Sequence, residues 1–341
     1  MRPEVLRTVY LLGSAETGHL GHVSFAADGA LRGQTDPDRA RYAFDGGRCY
    51  FLNQRNEIRA RLRYARDANM FMPDDRNALY LVPLVTLAPP REAAANGRLL
   101  VNTIPKSGTY LLELVLREIG YHGLGLHLIP NECHDNRGVP NNVIHRDPFS
   151  RRAFAPAAAV ASVMAAGEFA VGHVDDADQL RRISDAGVGV INCVRDLRGV
   201  LASLFRFKRK SVDPHAPSDR MWRVMPDQEG FLAFLGHYGE GELADIRDFA
   251  RLMPRAPGVL LRFEDLAAGV IPPGARDALD LLDEGLGIAV EAVLPGCIGR
   301  ESSTFNAERS DWRSVWSALS EEFFERSGLR AANRALGYEA L

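Results

Sequence analysis

Ile104-Pro105-Lys106-Ser107-Gly108-Thr109 constrains this 341-residue chain more than any other stretch. An apolar run, Leu99-Leu100-Val101, precedes it, and a helical pattern begins at Tyr110. A buried strand that turns through a glycine loop into a helix aims backbone N–H groups and the positive end of a helix at one point. Lys106 adds a full charge there. The junction predicts an anion site at the carboxyl edge of a sheet.

The order of residues narrows the anion. A nucleoside triphosphatase loop reads G-x-x-x-x-G-K-[ST], with lysine after the second glycine and a hydroxyl next for Mg²⁺. Here Lys106 precedes Gly108 and no glycine stands near Thr103. A second junction follows later. Val190-Ile191-Asn192-Cys193-Val194 reads as a buried strand and runs into Arg195-Asp196-Leu197, with Ser203 eight residues after Arg195. An Arg fork and a hydroxyl two helical turns apart suit a second phosphate.

From Arg98 onward, strand patterns (Leu99–Asn102, Phe169–His173, Gly189–Val194, Val259–Phe263) alternate with helical ones (Tyr110–Ile119, Leu197–Lys208, Phe231–His237, Glu242–Leu252, Ser320–Arg326). This alternation predicts an α/β fold with a mostly parallel central sheet flanked by helices. Residues 1–90 differ. Val9–Leu12, His22–Phe25, Cys49–Leu52 and Ile58–Leu62 are short strand runs between Gly and Asp clusters, predicting a small N-terminal β-rich unit. Pro89-Pro90 and the polar stretch Arg91–Gly97 mark a boundary, giving an accessory domain over 1–90 and a main domain over 98–341. Residues 209–230 read as a surface loop or lid carrying Lys210 and Trp222.

A net charge of −3 disfavours a nucleic-acid partner held by a basic surface. The four cysteines, 49, 133, 193 and 297, form no C-x-x-C pair, and the first residues carry no apolar leader. Both readings suit a cytoplasmic protein, and no apolar run is long enough for an integral membrane segment. His122, His127, Cys133, His134 and His145 match no zinc spacing.

Taken together, P-K-S-G-T and R-D-x-x-x-x-x-x-S resemble the paired motifs of the PAPS-dependent sulfotransferases. The resemblance covers roughly residues 98–341 and implies the P-loop NTPase-like sulfotransferase fold. It also implies transfer of a sulfuryl group from 3′-phosphoadenosine 5′-phosphosulfate (PAPS) to a hydroxyl acceptor, leaving 3′-phosphoadenosine 5′-phosphate (PAP), with no metal. Pro105, Lys106, Ser107, Gly108, Thr109 and Tyr110 would hold the 5′-phosphosulfate; Arg195 and Ser203 would hold the 3′-phosphate. Leu261-Arg262-Phe263-Glu264-Asp265-Leu266 resembles the family's Y-E-D-L segment. Ser303-Thr304-Phe305 and Arg309 resemble the segment that closes over the nucleotide, although Asn306-Ala307-Glu308 stands where many members carry R-K-G. Leu111 stands where many place a tryptophan against adenine.

His173, 22 residues before Arg195, is the candidate general base, and Glu132 in Asn131-Glu132-Cys133-His134 is the alternative. The acceptor expected is a hydroxyl-bearing small molecule, lipid or glycan, with a carbohydrate mildly preferred. Tyr42, Phe44, Tyr50 and Phe51 are candidates for a sugar platform. The other readings are a P-loop kinase, disfavoured by the lysine order, and a non-catalytic nucleotide- or glycan-binding protein on the same fold.

Overall fold

The computed structural model describes residues 3–33, 36–74, 78–92, 95–146, 151–214, 217–300 and 311–338. The first eight strands are β1 (Thr8–Ser14), β2 (Gly18–Phe25), β3 (Leu31–Arg32), β4 (Arg41–Asp45), β5 (Arg48–Leu52), β6 (Ile58–Ala65), β7 (Met70–Pro73) and β8 (Leu79–Thr86). They form one sheet, ordered β3-β2-β1-β8-β7-β6-β5-β4, and every pairing in it is antiparallel. Its two ends nearly meet, since Ala30 beside β3 bridges Arg41 of β4. The interior is filled by side chains, as suits a barrel of this strand number. Tyr10, Phe25, Phe51, Leu62, Phe71 and Leu81 are buried there. Phe25 meets Tyr42 edge-on and lies tilted against Phe44 and Phe71. Three of the four proposed platform aromatics, Tyr42, Phe44 and Phe51, therefore belong to this core.

The second sheet contains β9 (Leu99–Thr103), β10 (His122–Ile129), β11 (Glu132–Asp135), β12 (Arg152–Ala153), β13 (Glu168–Gly172), β14 (Gly189–Val194) and β15 (Val259–Arg262). Their order is β12-β11-β10-β13-β9-β14-β15. It is mixed: β10, β13, β9, β14 and β15 pair in parallel, while β11 and β12 add antiparallel strands at one edge. The expected mostly parallel central sheet does not organise the chain. The larger sheet is the antiparallel one, and the other is mixed. The reason lies in β10 and β11, where Gly123, Gly125 and three histidines interrupt the apolar pattern and hide two strands.

The segment at 209–230 is helical over most of its described residues rather than a loop. The helix Leu197–Ser211 extends into it, Pro217–Met221 forms a further turn of helix, and another helix begins at Asp227. Trp222 is 1% exposed and donates its indole N–H to Asp219 at 3.0 Å. Arg209 pairs with Asp227 at 2.7 Å and Arg223 with Asp219 at 2.9 Å.

The two sheets share a core. Val9, Val85 and Leu87 pack in the same buried cluster as Leu100, Ala170 and Val190. Beside it, Arg7 forms a fork to Glu168, Nη2–Oε1 2.5 Å and Nη1–Oε2 2.9 Å, with both side chains buried. The same guanidinium donates to the carbonyls of Ala88 and Val163. All four cysteines are free and buried.

Candidate active site

Parallel pairing brings the carboxyl ends of β13, β9, β14 and β15 to one edge. Four segments leave that edge side by side: His173 after β13, the loop Ile104–Gly108 after β9, Arg195 after β14 and Phe263 after β15. Two buried amides lock them. Asn102 accepts from the Val174 N–H at 2.8 Å and donates to the Asn192 side chain at 3.1 Å. Asn192 in turn donates to the Pro257 carbonyl at 2.8 Å. Both are fully buried, so each bond replaces water that cannot enter. The sequence carried a sign of this pair, a single Asn inside each of two apolar runs, that motif matching passed over.

The loop is tight. Ser107 N–H donates to the Ile104 carbonyl at 3.1 Å, and Thr103 and Thr109 share a hydroxyl contact of 2.6 Å across its mouth. Lys106 has φ 67°, a left-handed conformation that costs a non-glycine residue about 1–3 kcal/mol. That turn leaves its carbonyl to accept from Arg195 Nη1 at 3.2 Å. Gly108 caps the helix Thr109–Ile119 with φ 99° and offers no side-chain acceptor to its first turn. A Cβ at Gly108 lies 2.8 Å from Phe263, so glycine is needed for space as well as for φ. The same Phe263 ring supports the Arg195 guanidinium, 4.5 Å from its centroid.

Glu264 and Asp196 lie near Arg195, and Lys106 is the less compensated of the two cations. Burial, with the nearby Arg195 charge, pulls the Lys106 ammonium down to about 8. Among the described residues no carboxylate pairs with Lys106; its Nζ lies 4.0 Å over the Phe207 ring. The Ser107 hydroxyl is fully buried with no hydrogen-bond partner among the described residues. A buried donor, a buried cation and a helix start with no side-chain cap stand on the consecutive residues 106–109, a set that suits an anion.

Arg195 lies along the first turn of the helix Leu197–Ser211. A Cβ at Gly199 comes within 2.9 Å of its Nε, so the absence of a side chain there lets the guanidinium lie down. Ser203, half-buried, is one turn beyond Gly199 on the same face. Asp196 caps this helix, accepting from the Arg198 N–H at 2.9 Å, and Glu264 accepts from the Asp196 N–H at 3.1 Å. Thr304 and Arg309 lie outside the described residues.

His173 touches the loop. Its Nδ1 donates to the Thr103 carbonyl at 2.6 Å, since a carbonyl only accepts. Nε2 is then the nitrogen with the lone pair. Burial, with the Lys106 charge nearby, lowers this imidazole to about 4, so it is neutral at pH 7. The His127 ring meets it edge-on at 4.4 Å. Glu132, at the start of β11, has different neighbours: its Oε1 is 3.6 Å from both His134 Nε2 and Arg152 Nε. Among the described residues no group of three or more His, Cys, Asp or Glu side chains is arranged to hold a metal ion. No described helix is long and apolar enough to cross a membrane.

No protein-family model matches this chain, and no curated protein matches it. Among solved structures, the crystal structure of a mouse sulfotransferase complexed with PAP aligns with a TM-score of 0.42 and 11% identity, covering 72% of this chain and 89% of that one.

Proposed function

We propose that this chain is a sulfotransferase that moves a sulfuryl group from PAPS to a hydroxyl acceptor. The observation that carries the reading is the buried Lys106 ammonium, unpaired with any carboxylate among the described residues and set beside Arg195 and the orphan Ser107 hydroxyl. That group of donors fits a polyanion entering the loop. PAPS supplies an activated sulfuryl group on a 5′-phosphate and a second anion, the 3′-phosphate, at the far end of the nucleoside. Lys106, the Ser107 hydroxyl and the first N–H groups of the helix from Thr109 would hold the first. Arg195 and Ser203 would hold the second.

In the reaction, the acceptor O–H bond breaks as its oxygen bonds to sulfur, and the proton passes to His173 Nε2. The bond from sulfur to the 5′-phosphate oxygen breaks, and its electron pair leaves with PAP. Lys106 would stabilise the charge that grows on that departing oxygen, and stabilisation of this kind is usually the largest catalytic term. His173 is favoured over Glu132 as base because it shares Thr103 with the loop, whereas Glu132 is engaged by His134 and Arg152.

The test is ligand binding followed by transfer. PAP at a hundredfold excess over its Kd should stabilise the chain by about 2.7 kcal/mol in thermal unfolding, and ATP with Mg²⁺ should not. The reverse result would favour a kinase. Lys106→Ala should lower turnover by about 10²–10³-fold with the fold retained. PAP binding with no transfer to any hydroxyl would leave a binding protein.

A further inference from the structure

A cavity of about 200 Å³ opens between the helix Thr109–Ile119 and β10. Its β10 wall is closely packed at Gly123, where a Cβ would lie 2.5 Å from the Arg117 guanidinium and 2.9 Å from the Phe169 ring, so glycine there lets both side chains approach the strand. At one end is His127, whose ring meets His173 edge-on at 4.4 Å. The apolar walls include Leu126, Phe169 and Val171. The two charged side chains in the lining, Glu113 and Arg117, are paired with each other at 2.8 Å. Burial holds His127 well below its ordinary range, so that end carries no charge at neutral pH.

We propose that this cavity receives the acceptor, and that the acceptor is a compact, uncharged alcohol built on about one ring, phenolic or alicyclic. The inference rests on the sulfotransferase reading and names its substrate class. Size and charge both argue for it. Sites for drug-sized ligands occupy roughly 300–1,000 Å³, so this one admits a smaller molecule. A lining whose charges cancel internally offers nothing to an anionic sugar polymer, while aromatic and aliphatic walls reward a ring. The hydroxyl points to the polar end, where His127 orients it and His173 removes its proton.

The unaltered chain, given PAPS carrying labelled sulfate, is offered a phenol, a cyclohexanol, a monosaccharide and an anionic polysaccharide. Transfer to the ring alcohols and none to the polymer is expected. Val171→Phe, which fills the cavity, should lower kcat/KM for the ring alcohol by about tenfold or more while leaving the PAP thermal shift in place. On the unaltered chain with PAP bound, the ring alcohol should shift the imidazole proton resonances of His127. Sulfation of the polymer with ring alcohols inert overturns the inference. So does a Val171→Phe chain of unchanged kcat/KM, or a His127 signal indifferent to saturating alcohol. Failure of the unaltered chain to bind PAP overturns the donor reading instead.

Discussion

At the residue scale, two side chains in one site are held away from their ordinary ionisation in opposite service. Lys106 must be charged to meet a phosphate, yet burial and Arg195 bring it down to about 8. His173 must be neutral to accept a proton, and burial keeps it so down to about 4. The profile of kcat/KM against pH reports the free enzyme. It should be flat between about 4 and 8 and fall above 8 as Lys106 deprotonates. PAP raises the lysine again by supplying anions, so binding at pH 8 should take up a proton, measurable by calorimetry in buffers of different ionisation enthalpy. Between pH 8 and 10.5 the unfolded chain holds the lysine proton and the folded one does not. Stability without ligand should therefore rise with pH across that window, the reverse of what an ion-paired lysine gives. The sequence made Lys106, Arg195 and His173 legible because their loops have a fixed order of residue types. It did not reveal the left-handed turn at Lys106 or the support from Phe263, which depend on packing between segments far apart in the chain, Lys106 with Arg195 and Gly108 with Phe263.

At the element scale, the site is as rigid as the strand ends that carry it. Asn102 spans β13, β9 and β14 with its one amide. Asn102→Ala would leave the Val174 N–H and the Asn192 amide short of partners and should cost about 2–4 kcal/mol in denaturant unfolding. Activity should fall further than stability, because the base, the lysine loop and the arginine lose a common reference. Gly199→Ala tests the second anchor. Its methyl group displaces Arg195 and should weaken PAP binding by about tenfold, with unfolding little changed. Strand and helix patterns around both motifs were readable from periodicity. Those that escaped were broken by function or by geometry. Pro83 sits in β8 at a register shift opposite β1, and β10 carries Gly123 and Gly125 where Arg117, Phe169 and Arg137 pack close against it. The helical content of 209–230 was hidden because its polar residues pair locally, Arg209 with Asp227 and Arg223 with Asp219, around a buried Trp222.

At the scale of the whole molecule, the barrel and the mixed sheet are fastened by charge as well as by apolar contact. Arg7 and Glu168 are both buried, so losing one leaves the other unpaired. Arg7→Ala should cost about 3–5 kcal/mol, and the double variant Arg7→Met with Glu168→Leu should recover only part of it. The Ala88 and Val163 carbonyls lose Arg7 in both, and the Ala165 N–H loses Glu168 in the double variant. Calorimetry should show one unfolding transition in the native chain, because the shared cluster around Val9, Leu87 and Leu100 cannot be divided without exposing both sides. Two transitions would show the sheets unfolding independently. The near-closure of the barrel has a mechanical consequence. Six of its strand junctions are ladders, and β7 meets β8 at one pair, the buried Phe71 and Leu81. Where β3 approaches β4, however, a single bridge at the surface, Ala30 and Arg41, joins the ends. That makes the barrel a cuff with one clasp. Strain, heat or a protease will find the clasp before any ladder yields, and a cuff that springs there exposes its row of aromatic rings while the lysine loop, anchored in the other sheet, still holds its shape.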